Sequence, residues 1–420
     1  MKKPVLLFRG PVKTRSGYGA HARDILQALY EMDMFDIMVD SCGWGSTPMT
    51  ALEKDNLFHK WIEGVISTSI QNQPDIYVQV TVPNEFQRVG KFNIGITAGI
   101  ETTVAPKEWI DGCNRMDLII ATSNFSKEVL LSTVYNETEN NTGKLIKQFK
   151  IEKPIQVLFE GVDLSIYGNV NCPVDEPVEL DIKEDFAYLF VGHWLKGNLG
   201  QDRKDIGMLI KCFATAFADV EDRPALVLKT SSATFSVKER EIFRKKIETL
   251  VNDIPNPPSI YLLFGELTNA EMNNLYNHPK IKAMVSLTKG EGFGRPLLEF
   301  TLSGKPVIAS NWSGHKDFLP MDKAIMIGGS LTEVDDSAVD SFILKNSKWF
   351  TANYNEAVEV FKLVYKDYDK FLERAETLRQ ENVEKFSLES MRNVLKKMLE
   401  PFITQPKEHK MVLPKLTKIK

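Results

Sequence analysis

The sequence is short of cysteine, and what it has is scattered. Cys42, Cys113, Cys172 and Cys212 stand alone among 420 residues, with no C-x-x-C pair. That spacing argues against a disulfide framework or a zinc site and fits a reducing compartment, so a cytoplasmic protein is expected. Long apolar runs are missing too. No stretch approaches the ~20 apolar residues of a membrane span, and the run Val5–Phe8 ends at Arg9, too short for a signal peptide. The sequons at Asn136, Asn140 and Asn311 therefore carry no weight. Charge of one sign is also lacking: the formal net charge is −4, which speaks against a chain coated in nucleic acid. The end of the chain is the exception, where Lys407, Lys410, Lys415, Lys418 and Lys420 face only Glu408. Such a tail reads as a solvated end, or as a tether to an anionic surface, membrane or nucleic acid. No G-K-[ST] follows a glycine loop, so a P-loop is excluded. No D-x-D stands at a strand end to hold a metal ion.

What is present is ordinary globular material, 43% hydrophobic and 26% charged, long enough for two or three domains. Short apolar runs alternate with helical patterns. Val5–Arg9, Ile76–Val80, Phe92–Thr97 and Met116–Thr122 read as buried parallel strands, with helices such as Ala20–Tyr30 and Leu52–Val65 between them. Asn136–Lys144 is polar and reads as a surface loop. The pattern restarts at Ala187–Val191, followed by a helix over 203–218 and strands Ala225–Leu228, Ile260–Phe264, Ala283–Leu287 and Val307–Ala309. The acidic, proline-bearing stretch Gly161–Glu184 separates the two series and is the expected hinge. Helices close the chain at Asn355–Lys366, Asp369–Asn382 and Leu388–Leu399. The expectation is α/β: two Rossmann-like domains at 1–165 and 166–384, their parallel sheets facing a central cleft. A helix at 385–404 is expected to pack back on the first domain, and 405–420 is the basic tail. Open sheets of this kind bind ligands at the carboxyl ends of their strands.

The sharpest segment is Ser286-Leu-Thr-Lys-Gly-Glu-Gly-Phe-Gly-Arg-Pro-Leu-Leu-Glu-Phe-Thr-Leu-Ser-Gly304. A strand gives way to a turn with Gly290, Gly292 and Gly294, then to a helix that begins near Pro296 and stops by Gly304. Strand, glycine turn and helix start make an anion site, because unpaired N–H groups point outward there. Glu291 precedes the helix and Glu299 is placed in its first turn. Carboxylates accept hydrogen bonds from vicinal hydroxyls, so one suits a sugar and the other a ribose.

This segment resembles the E-x7-E signature of family-4 retaining glycosyltransferases, E-G-F-G-x-P-x-x-E. Three further stretches are similar: Gln156-Val-Leu-Phe-Glu-Gly-Val-Asp163, with Glu160 where the family has asparagine; Phe190-Val-Gly-His193 with Asp202–Phe213; and Asn311–Phe318. The second half also resembles enzymes encoded by tailed phages. The resemblance implies the GT-B fold and a metal-independent, retaining transfer from a UDP- or GDP-sugar, with no cofactor. It implies Lys204 as the diphosphate lysine and places His193 where the family has an arginine, with Lys196 or Arg203 able to compensate. Glu291 falls on the sugar side and Glu299 on the ribose side, with Thr288, Gly292, Phe293, Gly294 and Arg295 around the donor. Phe264 and Gly265 fall near the base.

In the first domain, Gly17-Tyr18-Gly19 follows the first strand and is a candidate for contact with donor phosphate or acceptor. Glu101, after Phe92–Thr97, is a candidate beside the transferring sugar, with Thr97 behind it. Trp44 and Trp109 are placed in loops near the same edge. The expected acceptor is a glycan or a lipid-linked molecule; hydroxymethylated bases of DNA are the alternative, on the phage resemblance and the tail. A GT-B epimerase and a catalytically silent GT-B module are the rival readings. Oligomeric state cannot be read from the sequence.

Overall fold

The computed structural model describes residues 3–67, 72–139, 141–142, 144–175, 177–232 and 236–403. The basic tail at 405–420 lies outside the described residues. The first series forms β1 (Val5–Gly10), α1 (Gly17–Met32), β2 (Asp36–Ser41), α2 (Leu57–Val65), β3 (Ile76–Val80), β4 (Phe92–Thr97), α3 (Lys107–Asn114), β5 (Leu118–Ala121), α4 (Asn124–Ser132), a hairpin of β6 (Tyr135–Thr138) and β7 (Leu145–Phe149), and β8 (Ile155–Val157). Six of these strands make one parallel sheet in the order β2-β1-β3-β4-β5-β8. β3 and β5 are buried along their whole length, which is why they read as unbroken apolar runs rather than alternating ones.

The second series forms β9 (Ala187–Val191), α5 (Ile206–Phe217), β10 (Ala225–Lys229), α6 (Val237–Val251), β11 (Ile260–Leu263), α7 (Asn269–Asn277), β12 (Ile281–Ser286), α8 (Arg295–Thr301), β13 (Val307–Ser310) and β14 (Ile325–Ile327). Its sheet is also parallel and six-stranded, in the order β11-β10-β9-β12-β13-β14. An antiparallel pair, β15 (Gly329–Glu333) and β16 (Lys348–Ala352), and three helices follow: α9 (Tyr354–Lys366), α10 (Asp369–Lys385) and α11 (Leu388–Ile403). No helix among the described residues is long and apolar enough to cross a membrane.

The chain crosses between the sheets twice, side by side. Val162 N–H donates to Phe386 O at 2.9 Å, and Leu388 N–H donates to Val162 O at 2.9 Å. After the return, α11 places Met391, Leu395 and Leu399 in the core of the first sheet with Leu6, Phe8 and Ile25. Three such side chains at roughly 2 kcal/mol each give a docking contribution of about 6 kcal/mol.

Several local readings need correction. Asn136–Lys144 is not all loop: Tyr135–Thr138 pairs antiparallel with Leu145–Phe149. A two-stranded ribbon exposed on both faces needs no apolar alternation, so its sequence looks like a loop. The helix placed from Leu52 begins at Leu57, because Asn56 caps it through the amides of Phe58 and His59. The helix placed from Arg203 begins at Ile206, because Asp205 at φ 53° breaks the right-handed path. Arg203 and Lys204 therefore sit in a loop. Trp109 lies in α3 rather than in a loop, and at 3% exposed it belongs to the core.

Candidate active site

Each sheet has one place where neighbouring strands send their connections to opposite faces: β1/β3 in the first, β9/β12 in the second. Crevices open at such switch points. The loop after β9 carries Arg203 and Lys204; the turn after β12 carries Gly290–Gly294. Between them lies a compact ion cluster. Lys204 Nζ donates to Glu291 Oε1. Arg203 Nη1 donates to Gly290 O at 2.9 Å and to Glu291 Oε2 at 3.3 Å, and lies 3.7 Å from Glu101 Oε1 of the first domain. Side-chain exposure is 12% for Lys204, 15% for Arg203 and 9% for Glu291, so these charges are largely out of water.

Burial alone would raise the Glu291 carboxyl, but Lys204 and Arg203 overcome it and hold it at about 2. The same burial lowers Lys204 against the pull of Glu291. Arg203 is held above its usual range, as Glu101 and Glu291 outweigh its burial. Glu101 is raised by burial, with Arg203 opposing. His193 behaves differently. Partial desolvation and then the charge of Lys204 push its imidazole below the usual value, and its Nδ1 lies 3.4 Å from Ser231 Oγ. A neutral imidazole cannot supply the charge of the family's arginine. The guanidinium that joins Lys204 on Glu291 is that of Arg203, ten residues on.

The turn itself is built by close approach to the first domain. A Cβ on Gly292 would land on the Ala98 carbonyl, and one on Gly290 on the Glu101 carbonyl. Gly292 O accepts from Ser123 Oγ at 2.6 Å and Ser126 Oγ at 3.2 Å. Gly294 takes φ 99° to start α8, a conformation that favours glycine. Beneath the turn, Lys289 Nζ reaches Asp205 Oδ2 at 3.2 Å and Thr351 Oγ1 at 3.1 Å, with both members of the ion pair 0% exposed. Thr288 Oγ1 lies 3.2 Å from the Arg203 and Gly290 carbonyls, tying the two loops together.

The remaining candidates divide. Gly19 N–H donates to the cap Ser16 Oγ, and a Cβ there would strike the Thr14 carbonyl; Gly17 opens the helix, exposed. Tyr18 OH bonds Thr97 Oγ1 at 2.9 Å and accepts from Ala98 N at 3.1 Å, next to Glu101, while its ring stacks on Trp44 with centroids 4.1 Å apart. Four candidates are not brought to the cluster. Phe293 is 2% exposed and packs on Phe318. Lys196 Nζ donates to Val339 O at 2.5 Å. Phe264 packs on the second-domain core and Gly265 O accepts from Lys229, both at the end of β11, two strands from the switch. Glu299 lies in the second turn of α8, not the first, where Arg295 Nε donates to it at 2.8 Å and Tyr276 OH lies at 3.3 Å. Arg295 also reaches Asp24 of α1.

Sequence reasoning missed Lys289–Asp205, Asp24 and the Ser123 and Ser126 hydroxyls. Only Arg295–Glu299 carried a legible signal, opposite charges at i, i+4.

No family model and no curated protein sequence matches the chain. Solved structures do. HepE from Anabaena in complex with UDP-glucose is similar at 13% identity and a TM-score of 0.59, over 95% of this chain and 100% of that one. A glycosyltransferase from Rickettsia africae is similar at 14% and 0.59, over 96% and 100%. Sucrose-phosphate synthase from Thermosynechococcus elongatus is similar at 14% and 0.59, over 95% and 99%. At such identity the likeness speaks for the fold, and the fold of this chain is GT-B: two Rossmann-like domains whose parallel sheets meet across a cleft.

Proposed function

We propose that the chain is a glycosyltransferase that moves a sugar from a nucleoside-diphosphate sugar to a glycan or lipid-linked acceptor, with retained configuration and no metal ion or cofactor. The observation that carries this reading is the buried pairing of Lys204 and Arg203 with Glu291 at the second switch point. The neighbours that share the fold include one in complex with UDP-glucose, which points the same way.

The chemistry follows from the charges. An arriving diphosphate competes with Glu291 for Lys204 and Arg203. Fixed cations there stabilise the charge that builds on the leaving phosphate. Glu291, released, accepts hydrogen bonds from sugar hydroxyls. The bond from the anomeric carbon to the phosphate oxygen breaks, the bond to the acceptor oxygen forms on the same face, and the acceptor proton passes to the leaving phosphate.

The test is a thermal-shift panel of UDP- and GDP-sugars on the parent and Lys204→Ala. A donor at 100 times its dissociation constant stabilises by about 2.7 kcal/mol. If no nucleotide sugar or free nucleoside diphosphate shifts the parent, the reading fails.

A further inference from the structure

Five residues other than glycine take a positive φ among the described residues. Four are Asp33, Asp205, Asp219 and Asn256, at φ 40° to 55°. Those residue types tolerate the left-handed region, because a short polar side chain can bond locally. The fifth is Ser313, at φ 79° and ψ −161°, a conformation that belongs almost wholly to glycine. Ser313 is 4% exposed and lies in the loop after β13.

That loop grips the glycine turn at Glu291. Glu291 N–H donates to Ser313 Oγ at 2.9 Å, and Gly314 N–H donates to Glu291 O at 3.0 Å. Two successive residues thus take both main-chain groups of Glu291. The approach is close, since a Cβ on Gly314 would land on the Gly292 carbonyl. His315, fully buried, ties the loop back to its own strand, its Nε2 donating to Ser310 O at 2.6 Å. A glycine at position 313 would take this backbone freely. It would also leave the buried Glu291 amide without its partner, and an unpaired buried donor is costly. An alanine would keep the strain and lose the bond as well.

We propose that Ser313 is a positioning residue: a strained main chain delivers its hydroxyl to the Glu291 amide, and that bond fixes where the Glu291 carboxylate stands against Lys204 and Arg203. Strain of this kind persists only where the surroundings enforce it, and here the bonds of Gly314 and His315 do so. The strain and the bond stand on geometry alone; their effect on transfer rests on the donor reading above.

Ser313→Gly and Ser313→Ala, made in the full chain, separate the hydroxyl from the strain. Without nucleotide, hydrogen exchange of the Glu291 amide should be at least tenfold faster in both variants, with exchange across β9 and β12 unchanged. The glycine variant should melt several degrees above the alanine variant, because alanine is strained at positive φ. Unchanged exchange at Glu291, or alanine melting at or above glycine, overturns the proposal. The third readout is slow hydrolysis of the UDP- and GDP-sugars of the panel above. Both variants should lose at least tenfold in kcat with the donor KM within threefold of the parent, so that turnover follows the hydroxyl and not the melting temperature. A glycine variant with parental kcat overturns the positioning role. If the parent hydrolyses none of these sugars, exchange and melting decide the proposal by themselves; if it also binds none, the donor reading fails.

Discussion

Replacing Glu160 with glutamine should free the protein from a loss of stability that sets in as pH rises. Glu160 is 6% exposed, with Arg295 at 3.9 Å. Burial first, and then the charges of Asp24, Glu299 and Glu291, push its carboxyl up to about 8 against the pull of Arg295. At pH 7 the folded protein holds this group as a neutral acid, while the unfolded chain holds a carboxylate. From the ordinary carboxyl value of 4.5 up to about 8, the folded state binds the extra proton, so stability falls as pH rises and then levels off. At about 1.36 kcal/mol per tenfold change in proton affinity, the rise from pH 6 to about 8 is worth roughly 3 kcal/mol. Glutamine keeps the size and polarity of the protonated acid and does not titrate. Thermal unfolding of Glu160→Gln and the parent in steps from pH 6 to 9 reads the effect. The variant should gain on the parent by several degrees across that range, and the gain should flatten above about pH 8. Parallel curves would show that Glu160 is already ionised at pH 6 and refute the reasoning. The same argument accounts for a departure in sequence: the resembled family has asparagine here, and a neutral carboxylic acid is its near equivalent in shape and polarity.

Glu291→Gln should bind a nucleoside diphosphate about tenfold more tightly, since Lys204 no longer has to leave a carboxylate, while transfer falls by roughly 100-fold; calorimetry and steady-state rates separate the two effects. Weaker binding with unchanged turnover would contradict the proposed competition. Lys289→Met should destabilise by ~3–5 kcal/mol, the cost of stranding the buried Asp205 carboxylate, and adding Asp205→Asn should recover much of it; denaturant unfolding of the single and double variants decides. Gly292→Ala should fold, because its Cβ meets only the opposing domain at the Ala98 carbonyl. It should nevertheless increase the radius of gyration in solution scattering and lower transfer by about 100-fold. An unchanged radius with full activity would mean that the turn does not need the close approach.

Much of the fold was legible because buried parallel strands announce themselves. Ile76–Val80, Phe92–Thr97 and Ala187–Val191 stand in the structure with the limits read from sequence. The elements that escaped are those whose burial is partial. β2 has one fully buried residue, Val39, and the β6–β7 ribbon is exposed along almost its whole length. Apolar periodicity reports burial, not hydrogen bonding, so half-exposed strands leave no trace. Helix starts shifted where a single backbone conformation intervened, as at Asp205, whose left-handed φ moves two cations out of a helix and into the site.

The candidate site was legible in its parts and not in its pairing. Glycines and glutamates at fixed offsets mark a turn, because turn chemistry is local. Charge compensation is not local. Lys204 meets Glu291, Lys289 meets Asp205 and Arg295 meets Asp24 across 84 to 271 positions of sequence. The resemblance accordingly carried Lys204 and Glu291 into the same cluster but left Glu299 as a free carboxylate. A buried carboxylate must be paired or protonated, and Glu299 and Glu160 illustrate the two outcomes a few ångströms apart: one is held by Arg295, the other keeps its proton. Which outcome a given glutamate takes depends on the cation that reaches it first. Arg295, the variable position of the signature, has a single guanidinium to divide among Glu299, Asp24 and Glu160. That division places a residue the signature leaves open at the junction of both domains.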